Sequence, residues 1–314
     1  MSSPLYKKHR GLRQKYNASW TRYPLAAIGR NRYIFGHALS RALHQFTESY
    51  MTSLDQIPTT KTAIKSALAA RGFTFGALLA APMANPKIAK SAKKAGVMTF
   101  VMHLAPHTIS GFNTCASATD ACIAPCLDQS GNPAAGDAKR AARIARTQAF
   151  FRARPLFLAL LKLEIDSAIK KAKRANMDCA FRLNGTSDIR FESVRFASGE
   201  SVAEYVNASG ATIYDYTKHA NRRAPGFYNL TFSFLGDETR AIRAFDAGLN
   251  IAIVFDVRRN QPLPRAFNLG GMVIPIHDAD EHDARFLDPR GCIAGLRYKF
   301  KTTRDAAPEM SADE

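Results

Sequence analysis

The spacing of apolar positions changes along this chain. From about residue 97 onward, short apolar runs alternate with longer stretches in which apolar residues recur every three or four positions. The runs 99–104, 179–183, 211–216, 228–234, 250–255, 272–276 and 292–298 predict strands. Several are apolar throughout rather than at alternate positions, which is the pattern of strands covered on both faces. The stretches 137–154 and 156–174 have helical periodicity and are separated by Pro155, which lacks a backbone donor and breaks a helix that runs into it. Asp137 is the expected N-cap of the first. Two further helices are predicted over 200–207 and 237–247, with Gly248 placed to end the second. Strands alternating with helices predict an α/β fold with a mostly parallel sheet, open or curved into a partial (β/α) barrel.

Residues 1–95 follow another pattern. Basic side chains such as Lys7, Lys8, Arg10 and Arg13 are interleaved with Tyr6, Tyr16, Trp20 and Tyr23, and the one acid before Asp55 is Glu48. We expect a basic, mainly helical N-terminal extension over 1–95, an α/β catalytic-type domain over 96–301, and a disordered tail over 302–314. Cations set among rings suit an arm that stacks on bases and meets phosphates; helices packed on the main domain suit the pattern equally well. Residues 82–86 read as a linker, followed by a basic patch at Lys87, Lys90, Lys93 and Lys94.

Composition adds a class of partner rather than a reaction. Of 314 residues, 46% are hydrophobic, enough for a sizeable core. The formal net charge of +18 makes a field that attracts phosphate, so nucleic acid, DNA ahead of RNA, is the expected partner, with simple solubility as the plainer account. No run approaches the roughly 20 apolar residues of a membrane span, and the best, 72–83, contains Pro82. No membrane partner is expected, and the oligomeric state is left open. Five cysteines, an odd count, behind a polar and basic N-terminus point to a reducing, cytoplasmic compartment.

Three of those cysteines, Cys115, Cys122 and Cys126, share the loop after the 99–104 strand with the spacing Cys-x6-Cys-x3-Cys. Thiols grouped on one loop point to a metal. Two metal centres fit: zinc, with His103 or His107 as a further ligand, or an iron–sulfur cluster with one open iron. The alternative is a chance cluster of small buried residues. The placement is similar to that in radical S-adenosylmethionine enzymes. The spacing is not their Cys-x3-Cys-x2-Cys, and no glycine-rich motif of theirs is evident, so the likeness is one of architecture. Cys179 and Cys292 begin strands and read as core residues.

Ligands of such folds meet the carboxyl ends of the strands, where this chain carries polar runs. In 182–188, Arg182 and Asn184 are candidate phosphate-binding residues. Arg182, flanked by apolar residues, needs an anion: Asp188, Asp215 or a ligand. Asp188, Asp215 and Tyr216 are expected to line the reaction site, with Lys218 binding phosphate. The run 214–218 also supports a replication-initiating nickase of the rolling-circle type, with Tyr214 or Tyr216 as nucleophile, Lys218 steadying charge, and His103 and His107 holding a divalent metal. The segment 277–288, with Asp278, Asp280, Glu281, His282, Asp283 and Asp288, supports a divalent cation or a solvated acidic loop paired with Arg285 and Arg290.

With these residues in view, the chain resembles the mycobacteriophage gene-product-88-like proteins. The matching stretches are 104–111 leading into the three cysteines, 142–147, 182–189, 214–218, 229–233, and 280–283 with Asp288-Pro289, in order over about 97–300. Similar proteins tend to carry a glycine–aspartate pair where this chain has His277-Asp278. The resemblance implies a phage or mobile-element origin, a bacterial host cytoplasm and a shared site, without specifying the reaction. Three functions follow as expectations: an enzyme with a three-cysteine metal or iron–sulfur centre acting on nucleic acid or a nucleotide, the tyrosine nickase, and a non-enzymatic DNA-binding accessory protein braced by zinc.

Overall fold

The computed structural model describes residues 57–82, 86–123, 126, 136–258 and 260–298. The aromatic and basic part of the expected extension, most of the expected linker and the expected tail lie outside these residues.

Nine strands form one sheet in the order β1-β2-β3-β4-β5-β6-β9-β8-β7. They are β1 Leu79–Ala80, β2 Val97–Met102, β3 Asp178–Arg182, β4 Thr212–Thr217, β5 Tyr228–Ser233, β6 Asn250–Phe255, β7 Ala266–Leu269, β8 Met272–Asp278 and β9 Ile293–Arg297. From β2 to β6 each strand lies parallel to the next in sequence, and β9 and β8 continue parallel. The strands β1 and β7 pair antiparallel at the two ends. Of the two expected architectures this is the open one, a largely parallel α/β sheet wound in one direction. Its consequence for function is simple: seven strands deliver their carboxyl ends, and the loops after them, to one edge.

Among the described residues, α1 is Lys61–Ala69, α2 Pro86–Ala95, α3 Asp120–Ile123, α4 Gly136–Arg152, α5 Arg154–Arg174, α6 Val202–Ala208 and α7 Glu238–Asp246. Pro155 sits in the first turn of α5, where a missing N–H costs nothing. That helix packs on β3 and β1 and buries Phe157, Leu160, Leu161 and Ile165 in the main core, with Phe150 of α4 edge-on to Phe157 at 5.3 Å. Asp137 lies inside the first turn of α4 rather than capping it, a place where a carboxylate still meets the positive helix end. Ser201 and Glu204 form a reciprocal capping box on α6. Gly248, at φ 84°, takes the left-handed position that follows α7.

The packed domain begins well before the boundary expected at residue 95. Ile64 and Leu68, one helical turn apart on α1, are fully buried in the main core, and Glu164 of α5 accepts the backbone N–H groups of Leu78 (3.1 Å) and Leu79 (2.8 Å). A short amphipathic helix and a two-residue strand complete the edge of the core. The hairpin β7–β8 is a second addition, turned by Gly270 and Gly271 at φ 56° and 89°. No helix among the described residues is long and apolar enough to cross a membrane.

Candidate functional site

The loop after β3 is built around a close approach that only glycine allows. Gly185 donates its N–H to Met102 O at 2.9 Å, and a Cβ there would lie 2.6 Å from the ring of His103. Asn184 locks this turn from both sides. Its backbone N–H and Nδ2 donate to Asp215 (2.8 and 3.0 Å), while its Oδ1 accepts from Ser187 Oγ and the Ile189 N–H. Asp215 also accepts the Tyr228 hydroxyl at 2.6 Å and has no exposed surface. Burial pushes its carboxyl up to about 6, against the hydrogen bonds from Tyr228 and Asn184 that favour the charged form.

Asp188 is the second node. One oxygen accepts the Thr217 hydroxyl (3.2 Å) and the Lys218 N–H (2.8 Å), and the other accepts from Arg222 at 3.1 Å. The guanidinium of Arg222, fully buried, also forks onto Glu192 at 2.9 and 2.7 Å. These bonds fix where β4 ends and hence where Lys218 stands. The Lys218 Nζ donates to Ser233 O and Oγ at 2.8 and 2.9 Å. Burial draws its ammonium down to about 8, and the strongest opposing field is that of Cys122, followed by Asp188, with Cys115 also contributing.

The cysteine loop therefore closes over the end of β4. Cys115 receives the backbone N–H of His107 and lies 3.7 Å from Thr114 Oγ1, yet burial pushes its thiol up. The fields of Asp188 and Cys122 act on it in the same direction. Ser117 of the same loop bonds the Nδ1 of His219 at 2.7 Å, and Arg240 of α7 donates to the carbonyls of Lys218 (2.5 Å) and Ser117 (3.5 Å). Between these elements lies a cleft of about 320 Å³ lined by Ser117, Arg190, His219, Asn221, Arg240 and Arg243, with Ala220. Its wall carries three guanidinium groups and no carboxylate. His219 is held below its usual range by burial, and Arg190, Arg222 and Arg240 add to that against Asp188.

The sequence-predicted residues divide accordingly. Cys115, Cys122, Lys218 and Asp188 are brought together. Arg182 is not left for phosphate: Asp283, rather than Asp188 or Asp215, takes its guanidinium at 2.9 Å, and it stacks 4.6 Å over the Tyr216 ring. Asn184 is also used internally, since its hydrogen bonds go to its own turn and to Asp215 of β4. Asp215 lies beneath the edge, not on it. Tyr214 has no exposed surface, packs on Phe286 at 5.3 Å, and has its hydroxyl pushed well up by burial. A phosphodiester reaches that hydroxyl only if β4 opens. Tyr216, covered by Arg182 and pushed up to about 12, is a poor nucleophile for the same reason. His103 sits under the Asn184-Gly185 turn with its ring drawn down to about 3 by burial and by Arg143, Arg182 and Arg146, while His107 offers Cys115 its backbone rather than its ring. Cys126 is half-buried, and Cys292 is buried as expected of a core residue.

Among the described residues, the trio of metal-type ligand atoms lying within 4.8 Å of one another is His277, His282 and Asp288, on the connection from β8 to β9. The three thiols do not form such a group.

Sequence reasoning passed over Arg190, Arg222, Glu192, Arg240 and Arg243. The pair Arg240 and Arg243 carried a signal, being three residues apart on a predicted helix and hence on one face.

The family model described as gene product 88 matches residues 77–308. The chain belongs to that family, as the sequence resemblance led us to expect. No curated protein and no solved structure gives a significant match.

Proposed function

We propose that this gene product 88 protein is an enzyme whose Cys115, Cys122 and Cys126 hold a metal centre, an iron–sulfur cluster in preference to zinc, beside a cationic cleft that takes the phosphate groups of a nucleic acid or nucleotide in the host cytoplasm. One observation carries the reading. The cysteine loop packs on the carboxyl edge of the parallel strands, where its Ser117 bonds His219 at 2.7 Å and lines the cationic cleft.

Thiolates are the donors that iron–sulfur clusters and zinc take. Three thiolates would bring three negative charges, which Lys218 would offset in part. The N–H that His107 aims at Cys115 is the kind of hydrogen bond to sulfur that tunes a cluster. Bound there, a cluster with an open iron would supply electron transfer or direct coordination of a substrate atom. The chain's own part is to position an anion: Arg190, Arg240 and Arg243 fix its phosphates, and Asp188 holds the loop that carries Lys218 and His219.

The test is iron, zinc and acid-labile sulfide analysis of the full chain purified without oxygen. Iron with sulfide and a broad visible absorbance, lost in the triple Cys→Ser variant, is expected. Zinc instead would favour the accessory protein braced by metal. Full metal retention in the triple variant would remove the thiols from the site altogether. A protein–DNA adduct that vanished in Tyr214→Phe or Tyr216→Phe would replace this reading with the nickase.

A further inference from the structure

The connection from β8 to β9 carries a cluster that the proposed function does not use. His277 lies near the end of β8, fixed by its register opposite Ala294 of β9. His282 follows after a turn, and Asp288 closes the single 3-10 turn Arg285–Leu287. One donor atom of each residue lies within 4.8 Å of the other two.

The separation of His277 and Asp288 is that of shared ligands rather than of a hydrogen bond. His277 Nε2 stands 3.5 Å from Asp288 Oδ1. A direct bond would close to about 2.7–3.2 Å. Zinc bonds of about 2.0–2.1 Å at tetrahedral angles place ligand atoms roughly 3.4 Å apart. The Nε2 of His277 and the Nδ1 of His282 are both sealed from solvent without a hydrogen-bond partner. Two buried imidazole nitrogens left without partners are costly unless something takes their lone pairs. The carboxylate is also oriented: Arg285 Nη1 lies 3.2 Å from Asp288 Oδ2, which turns the other oxygen towards His277. An outer partner that holds a ligand's far atom is how proteins aim metal ligands.

We propose that His277, His282 and Asp288 form a mononuclear site for a divalent transition metal of the zinc or ferrous class, with three protein ligands and an open coordination position. Two imidazoles and one carboxylate are too nitrogen-rich for magnesium or calcium, which select oxygen. The neighbouring acids do not compete for the role, because Asp278 and Asp280 are drawn to Arg297 and Asp283 to Arg182. None of its three ligands belongs to the cysteine loop, so it holds whether or not the thiols bind a cluster.

The experiment counts zinc or cobalt(II) bound to the full chain with Cys115, Cys122 and Cys126 replaced by serine, after dialysis against metal-free buffer. One equivalent is expected, with a cobalt spectrum free of thiolate charge transfer, and it is lost in the added His277→Ala and His282→Ala variants. Asp288 is left in place because it also holds Arg285. Should the serine background not fold, the same pair of histidine changes in the otherwise unaltered chain should lower bound zinc by one equivalent. No bound metal in the serine background, or retention unchanged by either histidine variant, would overturn the site and leave a histidine–aspartate ion pair in its place.

Discussion

Two groups of charged side chains share the carboxyl edge of the sheet and are put together in opposite ways. In the lower group, Arg222 is matched by Asp188 and Glu192, and Asp215 by Asn184 and Tyr228, with side-chain exposures of 0–7% across the Arg222 ion pairs. In the upper group, Arg190, Arg240 and Arg243 face a cleft whose lining includes no acid. Identical chemistry thus serves two ends. Cations that find buried carboxylates hold the loops in place, and cations on a cavity wall without acids are where the proposed function puts an incoming anion.

The sharpest way to break that comparison is to remove a cation from each group. Arg222→Met leaves Asp188 and Glu192 buried beside an apolar chain, and stripping one partner from a buried pair costs about 3–5 kcal/mol. Arg243→Ala should stay within about 0.5 kcal/mol of the parent, as surface changes away from special features do. Urea unfolding of both variants reads the contrast. Equal, small losses would mean that the lower network is not structural.

A second effect of the lower group appears in its pH dependence. Asp215 is raised by burial from 3.8 to about 6, so the folded chain keeps this proton over a range in which the unfolded chain has released it. The folded state then binds more protons, and stability falls as pH rises from about 4 to about 6, with no further change from this group above that window. The full span is worth about 3 kcal/mol. Subtracting the stability curve of Asp215→Asn from that of the parent isolates the contribution. A flat difference curve would show that the hydrogen bonds from Tyr228 and Asn184 offset burial completely.

How much of this was legible in the sequence depends on the range of the interaction. The strands were, because apolar runs such as 211–216 and 250–255 state their burial locally. The gathering of polar residues at one edge was also legible, since in parallel strands each run ends in the same direction. Partner choice was not. Arg182 is held by Asp283, 101 residues away, and nothing in the sequence ranks that carboxylate above Asp188 or Asp215. Depth was not legible either: Tyr214 and Tyr216 differ from a reactive tyrosine only in what covers them, Phe286 in one case and Arg182 in the other. The hairpin at Gly270-Gly271 could have been read from its glycine pair between apolar runs. The docking of α1 rested on Ile64 and Leu68 alone, a signal easily outweighed by the basic character of its surroundings.

The smallest expected effect tests the upper group directly. Binding of a single-stranded oligonucleotide, followed by fluorescence anisotropy over a range of salt concentrations, should weaken about tenfold in Arg243→Ala, the equivalent of about 1.4 kcal/mol for one charge-assisted hydrogen bond. The slope of log affinity against log salt should fall by about 0.7 for each phosphate that is no longer neutralised. Arg243→Lys should keep the slope and recover part of the affinity, because an ammonium preserves charge without the two-pronged geometry that guanidinium offers a phosphate. The necessary control is an exposed arginine at the opposite edge, Arg174 at the end of α5, where the strands begin. In a chain of net charge +18, removing any cation weakens a polyanion's attraction somewhat. If Arg174→Ala reproduces the full change, the cleft is one patch of a uniformly positive surface. If it does not, the difference between the two variants measures what the cleft adds to the general field.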